Sequence, residues 1–263
     1  MMLPRPSMPA IETAALTKRY GDTVAVDTLD LAVPDGTVYG FLGPNGSGKT
    51  TTMRMLTGLT TPSSGTATVA GTSVTDRDGL RPHVGYLPEE PPLYEQATAY
   101  EQLEYVAGLR NLPEQETQDR IDSLLDRLDL PPDDASTRIA DYSKGMRQKV
   151  AYVQAVLHRP DIAFLDEPTS GLDPRAARTI RELIRELTDE GTTVFLSTHI
   201  LPVVEEIADT VGILYEGRLV AEDTPAQLTQ RAETGETRTL EDAFLELTST
   251  DPAAGSSVEA EDD

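Results

Sequence analysis

Gly43-Pro44-Asn45-Gly46-Ser47-Gly48-Lys49-Thr50 follows the apolar run Val38-Tyr39-Gly40-Phe41-Leu42 and leads into Thr51-Thr52-Met53-Arg54-Met55-Leu56. A strand, a glycine loop and a helix in that order make a phosphate cradle. Glycines permit φ > 0 and close backbone approach, so consecutive N–H groups can converge on phosphate oxygens at the positive end of the following helix. In the G-x-x-x-x-G-K-T pattern, Lys49 reaches the β- and γ-phosphates and Thr50 ligates Mg²⁺. The stretch predicts a nucleoside triphosphate site on an α/β fold.

Composition bounds what such a site serves. The chain has 263 residues, enough for one large domain or two lobes. Its formal charge of −23 and pI near 4.4 argue against nucleic acid as a partner, because phosphate backbones need basic faces. Only four lysines are present, Lys18, Lys49, Lys144 and Lys149. Such acid excess repels itself at low ionic strength, but at molar salt the Debye length falls to about 3 Å and the repulsion is screened. We therefore expect a halophilic protein of a salt-rich cytoplasm. Its melting temperature should rise with KCl into the molar range in a thermal denaturation series; a flat or falling curve would contradict this. The chain has no cysteine, hence no disulfide framework or thiolate metal site. No apolar signal core precedes Pro9, and no stretch approaches the roughly 18 to 20 apolar residues that cross a bilayer.

Outward from the loop, Ile11 to Thr17 and Thr28 to Val33 read as short strands of an antiparallel sheet, with Lys18-Arg19-Tyr20-Gly21 placing an aromatic in the turn between them. Tyr20 is a candidate to stack on a base. Thr66 to Val69 and Val84 to Leu87 are further strands. From Thr98 to Leu109, Glu114 to Leu128 and Ser143 to Leu157 the pattern turns helical, which predicts an inserted helical lobe over about residues 88–160. The α/β pattern resumes with Ile162-Ala163-Phe164-Leu165-Asp166-Glu167. After such a strand the first carboxylate, Asp166, suits the Mg²⁺ shell, and the second, Glu167, suits orienting or deprotonating a water. Asp173-Pro174 opens a helix whose Arg175, Arg178, Arg181 and Arg185 alternate with Glu182 and Glu186, read as a solvated face with helical ion pairs. Thr192 to Ser197 is the next strand, ending at Thr198-His199, a place for a γ-phosphate sensor. Thr239 to Leu247 reads as a capped helix; residues 1–10 and the acidic residues 248–263 read as disordered.

Taken together, these residues resemble the ATP-binding subunit of ABC transporters over roughly Ile11 to Leu247. The resemblance implies a P-loop NTPase core with an antiparallel β subdomain and a helical subdomain. It implies that Tyr20 stacks on adenine, that Gly43 to Thr50 with Thr51 form the Walker A loop, and that Asp166 and Glu167 are the Walker B pair. Tyr142-Ser143-Lys144-Gly145-Met146 stands where the family has Leu-Ser-Gly-Gly-Gln, retaining Ser143 and Gly145 as the phosphate-facing members. Ser170-Gly171-Leu172-Asp173 matches the D-loop, His199 the switch histidine, and Glu89 takes the place of the usual Q-loop glutamine, as a further ligand facing Mg²⁺. The family's mechanism implies two copies head to tail with ATP and Mg²⁺ between the Walker A loop of one and Ser143 of the other. Glu167, His199 and Lys49 would be catalytic. A separate membrane permease would hold the subunit at the inner face of the membrane.

Glu-containing loops and a Leu-Glu-Asp-Ala-Phe-like tail resemble subunits paired with ABC-2 type permeases, which implies export. The alternatives are a soluble ABC-type ATPase of repair or translation and a nucleotide-gated module that does not hydrolyse. The former usually has a coiled-coil insertion or two cassettes, absent here. A GTPase is excluded, since Asn45 and Asn111 are the only asparagines and no Asn-Lys-x-Asp occurs.

Overall fold

The computed structural model describes residues 9–230 and 239–248. In chain order its strands are β1 (Ile11–Tyr20), β2 (Thr23–Val33), β3 (Val38–Leu42), β4 (Ser64–Val69), β5 (Thr72–Ser73), β6 (Val84–Leu87), β7 (Ile162–Asp166), β8 (Thr193–Thr198), β9 (Thr210–Tyr215) and β10 (Arg218–Asp223). Its helices are α1 (Lys49–Leu56), α2 (Arg77–Leu80), α3 (Ala99–Leu109), α4 (Glu114–Arg127), α5 (Pro132–Ala135), α6 (Lys144–Val156), α7 (Pro174–Asp189), α8 (Leu201–Ile207), α9 (Pro225–Gln230) and α10 (Leu240–Thr248).

β3, β7 and β8 are buried at every residue, which is why they read as continuous apolar runs rather than alternating ones. They form the centre of a sheet in the order β10-β9-β3-β8-β7-β6, parallel except for β10. A second, antiparallel sheet runs β2-β1-β4-β5. Between the sheets lie Tyr39, Phe41, Phe164 and Phe195 with Met53, Met55 and Leu56 of α1. The Tyr39 and Phe195 rings stack at 5.2 Å and Phe41 lies 5.1 Å from Phe195. Burying each such side chain contributes about 1.5–3 kcal/mol, so α1 and the loop before it are held from below. On the sheet's other face Leu103, Ile121, Leu125, Val150 and Val153 join Ile180, Leu183 and Ile184 of α7 in one core. The helices α3 to α6 all fall between β6 and β7.

The hairpin differs from expectation. β1 and β2 extend to Tyr20 and from Thr23, so Tyr20 is the last residue of a strand, paired with Thr23 across Gly21-Asp22. Register shifts between Thr13, Leu16, Lys18 and Arg19 break the alternation that would have marked these residues as strand. Ala10, assigned above to a disordered lead, is buried and its carbonyl accepts from Ala70 N at 2.8 Å, so the β1 edge is tied down one residue earlier. At the other end Thr248 closes α10, its hydroxyl donating to Phe244 O at 2.7 Å, so the helix outlasts its expected end. The expectations for residues 1–8 and 249–263 lie outside the described residues. The arginines of α7 are only partly a solvated stripe. Arg178 pairs with Glu182 on its own helix, but Arg181 pairs with Glu206 and Arg185 donates to Glu206 O, both on α8.

Candidate active site

Sheet register brings the chemistry together. Leu42 stands opposite Thr198, and Asp166 opposite Ser197, so the residues that leave β3, β7 and β8 emerge side by side at one edge. These are Gly43, Glu167 and His199, and the edge is the carboxyl end of parallel strands, where open α/β sheets bind ligands. A cavity of about 370 Å³ lies there, lined by Asn45, Gly46, Gly48, Lys49, Thr50, Thr51, Glu89, Asp166, Glu167 and His199, with Ala25 on its wall.

The loop's backbone needs its glycines. Gly48 precedes α1 at φ 109, and a Cβ there would meet Ala25 O at 2.4 Å. A Cβ on Gly43 would meet Leu214 O and the Ser47 hydroxyl, each at 2.4 Å. The loop is thereby pressed between β2 and β9, and Gly217 N donates to Ser47 O at 2.9 Å to hold it. Lys49 is 8% exposed, and its ammonium donates to Gly43 O at 2.7 Å and Pro44 O at 3.1 Å. Burial lowers its pKa from the ordinary lysine value against the pull of Glu167, Asp166 and Glu89. Ser47 is buried, and its hydroxyl has no hydrogen-bond partner among the described residues. A cradle that a Cβ would fill, a buried cation and an unsatisfied hydroxyl fit a phosphate group.

Thr50 Oγ1 donates to Asp166 Oδ2 at 2.9 Å. Burial raises the pKa of Asp166, with the hydroxyls of Ser197 and Thr50 acting the other way. Two hard oxygens so placed suit Mg²⁺, which takes one or two protein oxygens and completes its shell with phosphate and water. Among the described residues no group of three or more His, Cys, Asp or Glu is placed to hold a metal ion. Glu89 is exposed at the cavity wall, two residues beyond β6.

Glu167 is the most constrained side chain of the set. It is 6% exposed, and φ 49 places it in the left-handed region, a strain of about 1–3 kcal/mol that persists because its surroundings over-determine it. Its N–H donates to Ser197 O at 2.8 Å. Oε2 accepts from Thr198 Oγ1 at 2.9 Å, while Oε1 accepts from His199 N at 2.9 Å and lies 2.6 Å from His199 Nδ1. The Glu167 carbonyl accepts from Gln148 Nε2 at 3.3 Å, linking it to α6. Thr198, Gln148 and Ala25 were not singled out from sequence. Thr198 had a usable signal, as a hydroxyl at the same strand end as His199.

Other expected members lie elsewhere. Tyr20 does not line the cavity; it is 50% exposed, with Lys18 Nζ 5.0 Å from its ring centroid. Ser143 caps α6, its hydroxyl accepting from Met146 N at 3.2 Å, and is exposed away from the cavity. Gly145 lies against Gly171 and Leu172, where a Cβ would sit 3.4 Å from both, and Lys144 Nζ donates to Ser170 Oγ at 3.2 Å. Asp173 caps α7 through Arg175 N and Ala176 N at 2.9 and 3.0 Å, bonds that lower its pKa. Its carboxylate is thus engaged within its own chain.

The sequence profile described as ABC transporter matches residues 26–170. Among curated proteins, the chain is 39% identical over 223 residues to the bacitracin transport ATP-binding protein BcrA of Enterococcus faecalis, covering 84% of this chain and 71% of that one. It is 41% identical over 221 residues to the daunorubicin/doxorubicin resistance ATP-binding protein DrrA of Streptomyces peucetius, covering 83% of this chain and 66% of that one. It therefore spans about two thirds of that second relative's length. The dimeric structure of the bacterial ABC transporter cassette MJ0796 superposes with a TM-score of 0.76 at 25% identity, covering 81% of this chain and 98% of that one. With the phosphate cradle, the Thr50–Asp166 pair and the clamped Glu167 at one sheet edge, this chain belongs to the ABC transporter family as an ATP-binding subunit and ATPase.

Proposed function

We propose that this subunit drives export through a separate membrane permease by closing on a second copy of itself around ATP. The observation that carries the reading is Glu167, a buried carboxylate fixed by Thr198 and His199 in the cavity that holds Lys49, Thr50 and Asp166. Glu167 orients a water and takes its proton as the water attacks the γ-phosphate. His199 keeps Nδ1 on Glu167, which leaves its other ring nitrogen for a phosphate oxygen. Lys49 exchanges its two carbonyl bonds for the β- and γ-phosphates, and Thr50 and Asp166, with Glu89 on the same cavity wall, would hold Mg²⁺. Mg²⁺ bound there neutralises charge on the phosphate oxygens. The face of Tyr20 away from Lys18 takes adenine.

Ser143 is exposed and Gly145 half-buried at the N-terminus of α6, and neither lines its own chain's cavity, which supports their use across a two-fold pair. ATP then favours the closed pair because it touches both copies, and hydrolysis removes that differential contact. Among the described residues no helix is long and apolar enough to cross a membrane, so a place at the inner face depends on the permease. Export is supported by the likeness to DrrA, a resistance protein, and to BcrA.

The test mixes two inactive variants, Lys49→Ala and Ser143→Arg. A mixed pair contains one site with native Lys49 from one copy and native Ser143 from the other. ATPase activity should return on mixing to about a quarter of the wild-type level, the statistical share of such sites for freely exchanging pairs. No recovery, with both variants folded, would mean that each site is complete within one chain.

A further inference from the structure

The hydrogen bonds that fix Glu167 come from three directions. Ser197, Thr198 and His199, at the end of β8, hold its N–H and its carboxylate. Ser170 N donates to its carbonyl at 3.0 Å and closes a turn over residues 167–170. The third direction is α6, where Gln148 Nε2 donates to the same carbonyl at 3.3 Å and uses the oxygen's second lone pair. Gln148 is 1% exposed, on a helix that otherwise buries aliphatic residues and Tyr152. A buried amide is costly unless it is hydrogen-bonded, and an aliphatic side chain would fill this place more cheaply, so packing alone does not account for a glutamine here. Two further contacts brace the same turn from residues three and four positions before Gln148, hence from the same face of α6. Lys144 Nζ donates to Ser170 Oγ at 3.2 Å, and its stem lies over Gly171, where a Cβ would come within 2.8 Å of Lys144 Cδ. Gly145 packs against Gly171 and Leu172.

We propose that Gln148 is a positioning residue for the general base: it fixes the peptide plane that follows Glu167, and with it the direction in which the Glu167 carboxylate points. This rests on the reading above that Glu167 is the base. Glu167 is held at φ 49, and such a conformation persists only where the surroundings over-determine it. The β8 bonds fix the backbone before its Cα and the end of its side chain, while the carbonyl fixes the backbone after it. Without Gln148 the carbonyl is held by Ser170 N alone, which belongs to the same short turn and can tilt with it. The peptide plane then relaxes toward an unstrained conformation and the Cα–Cβ direction swings. A misplacement of about 1 Å in a catalytic group can cost about 10²-fold in rate. Gln148 does not line the cavity, so nucleotide binding should not depend on it.

The test uses the full chain in molar KCl with Mg²⁺ and ATP. Gln148→Met keeps the length of the side chain and removes the donor. Its kcat should fall by about tenfold to 10²-fold while KM and ATP affinity stay within a few-fold of wild type. The decisive measurement is single-turnover phosphate release in the Glu167→Gln background. There the base is already lost, so adding Gln148→Met should change the rate by less than about twofold, whereas a residue that acts on the fold or the pocket at large would lower it again by the full factor. That additive loss overturns the proposal, as does a single variant with undiminished kcat or one whose ATP affinity falls in step with kcat. Should Gln148→Met fail to fold, Gln148→Glu replaces it. Its protonated carboxyl donates to the Glu167 carbonyl as the amide does, and its ionised form cannot, so its rate relative to wild type should fall as pH rises; a low ratio that is flat with pH overturns the proposal. Hydrolysis at the wild-type rate by Glu167→Gln alone would remove the base itself. A large loss in that variant, with a further full loss on adding Gln148→Met, would refute the positioning role and leave the base standing.

Discussion

Glu167→Gln should lower the rate of phosphate release by about 10²–10⁴-fold, the range a positioned general base contributes, with ATP affinity changed by no more than a few-fold. The substitution keeps shape and removes charge and basicity. The amide oxygen can still accept from His199 N, and the amide N–H₂ can donate to the Thr198 hydroxyl, which accepts as well as donates, so the bonds that fix this buried side chain are largely preserved. What changes is that no group there takes the proton of the attacking water. If nucleotide closes two copies and hydrolysis opens them, the variant with ATP and Mg²⁺ should accumulate as a dimer on size exclusion in molar KCl while wild type cycles back to monomer. Undiminished hydrolysis would remove Glu167 from the role of base. A slow enzyme that stays monomeric would retain the base and refute the nucleotide-closed pair.

Lys49→Ala should weaken ATP binding by about 10²-fold, since two charge-assisted hydrogen bonds to phosphate at about 1.5–3 kcal/mol each are lost and water replaces them only in part. The consequence is legible in thermal stability. At an ATP concentration 100 times the wild-type Kd, the nucleotide stabilises the wild-type fold by about 2.7 kcal/mol; with Kd raised 10²-fold the same concentration contributes about 0.4 kcal/mol. The ATP-dependent rise in melting temperature should therefore almost vanish. The nucleotide-free variant should not melt much lower than wild type. Burial lowers the pKa of Lys49 despite three nearby carboxylates, so its charge opposes folding in the absence of phosphate. A full ATP-induced shift in the variant would show that Lys49 does not touch the nucleotide.

Much of this was readable along the chain because the signals are local. Gly43 to Thr50, Asp166-Glu167 and His199 each sit at the end of a buried strand, and such strands announce themselves as short apolar runs whatever surrounds them. The start of α7 was legible for the same reason: Asp173-Pro174 stands where the helical period begins, and the Asp173 side chain accepts from Arg175 N and Ala176 N. The β1–β2 hairpin was less so, because its register shifts erase the alternation on which strand reading depends.

The amino-acid order by itself determined which residues carry the chemistry and which segments bear them, since propensity, glycine geometry and hydrophobic period act over a few neighbouring residues. Only the folded chain decided that Glu167 is clamped by Thr198 and His199, that Tyr20 stands outside the cavity, and that Arg181 and Arg185 reach α8. Those facts depend on strand register and on contacts between residues far apart in the chain, such as Leu42 with Thr198 and Arg81 with Arg110, and no local pattern encodes a pairing set by the packing of the whole.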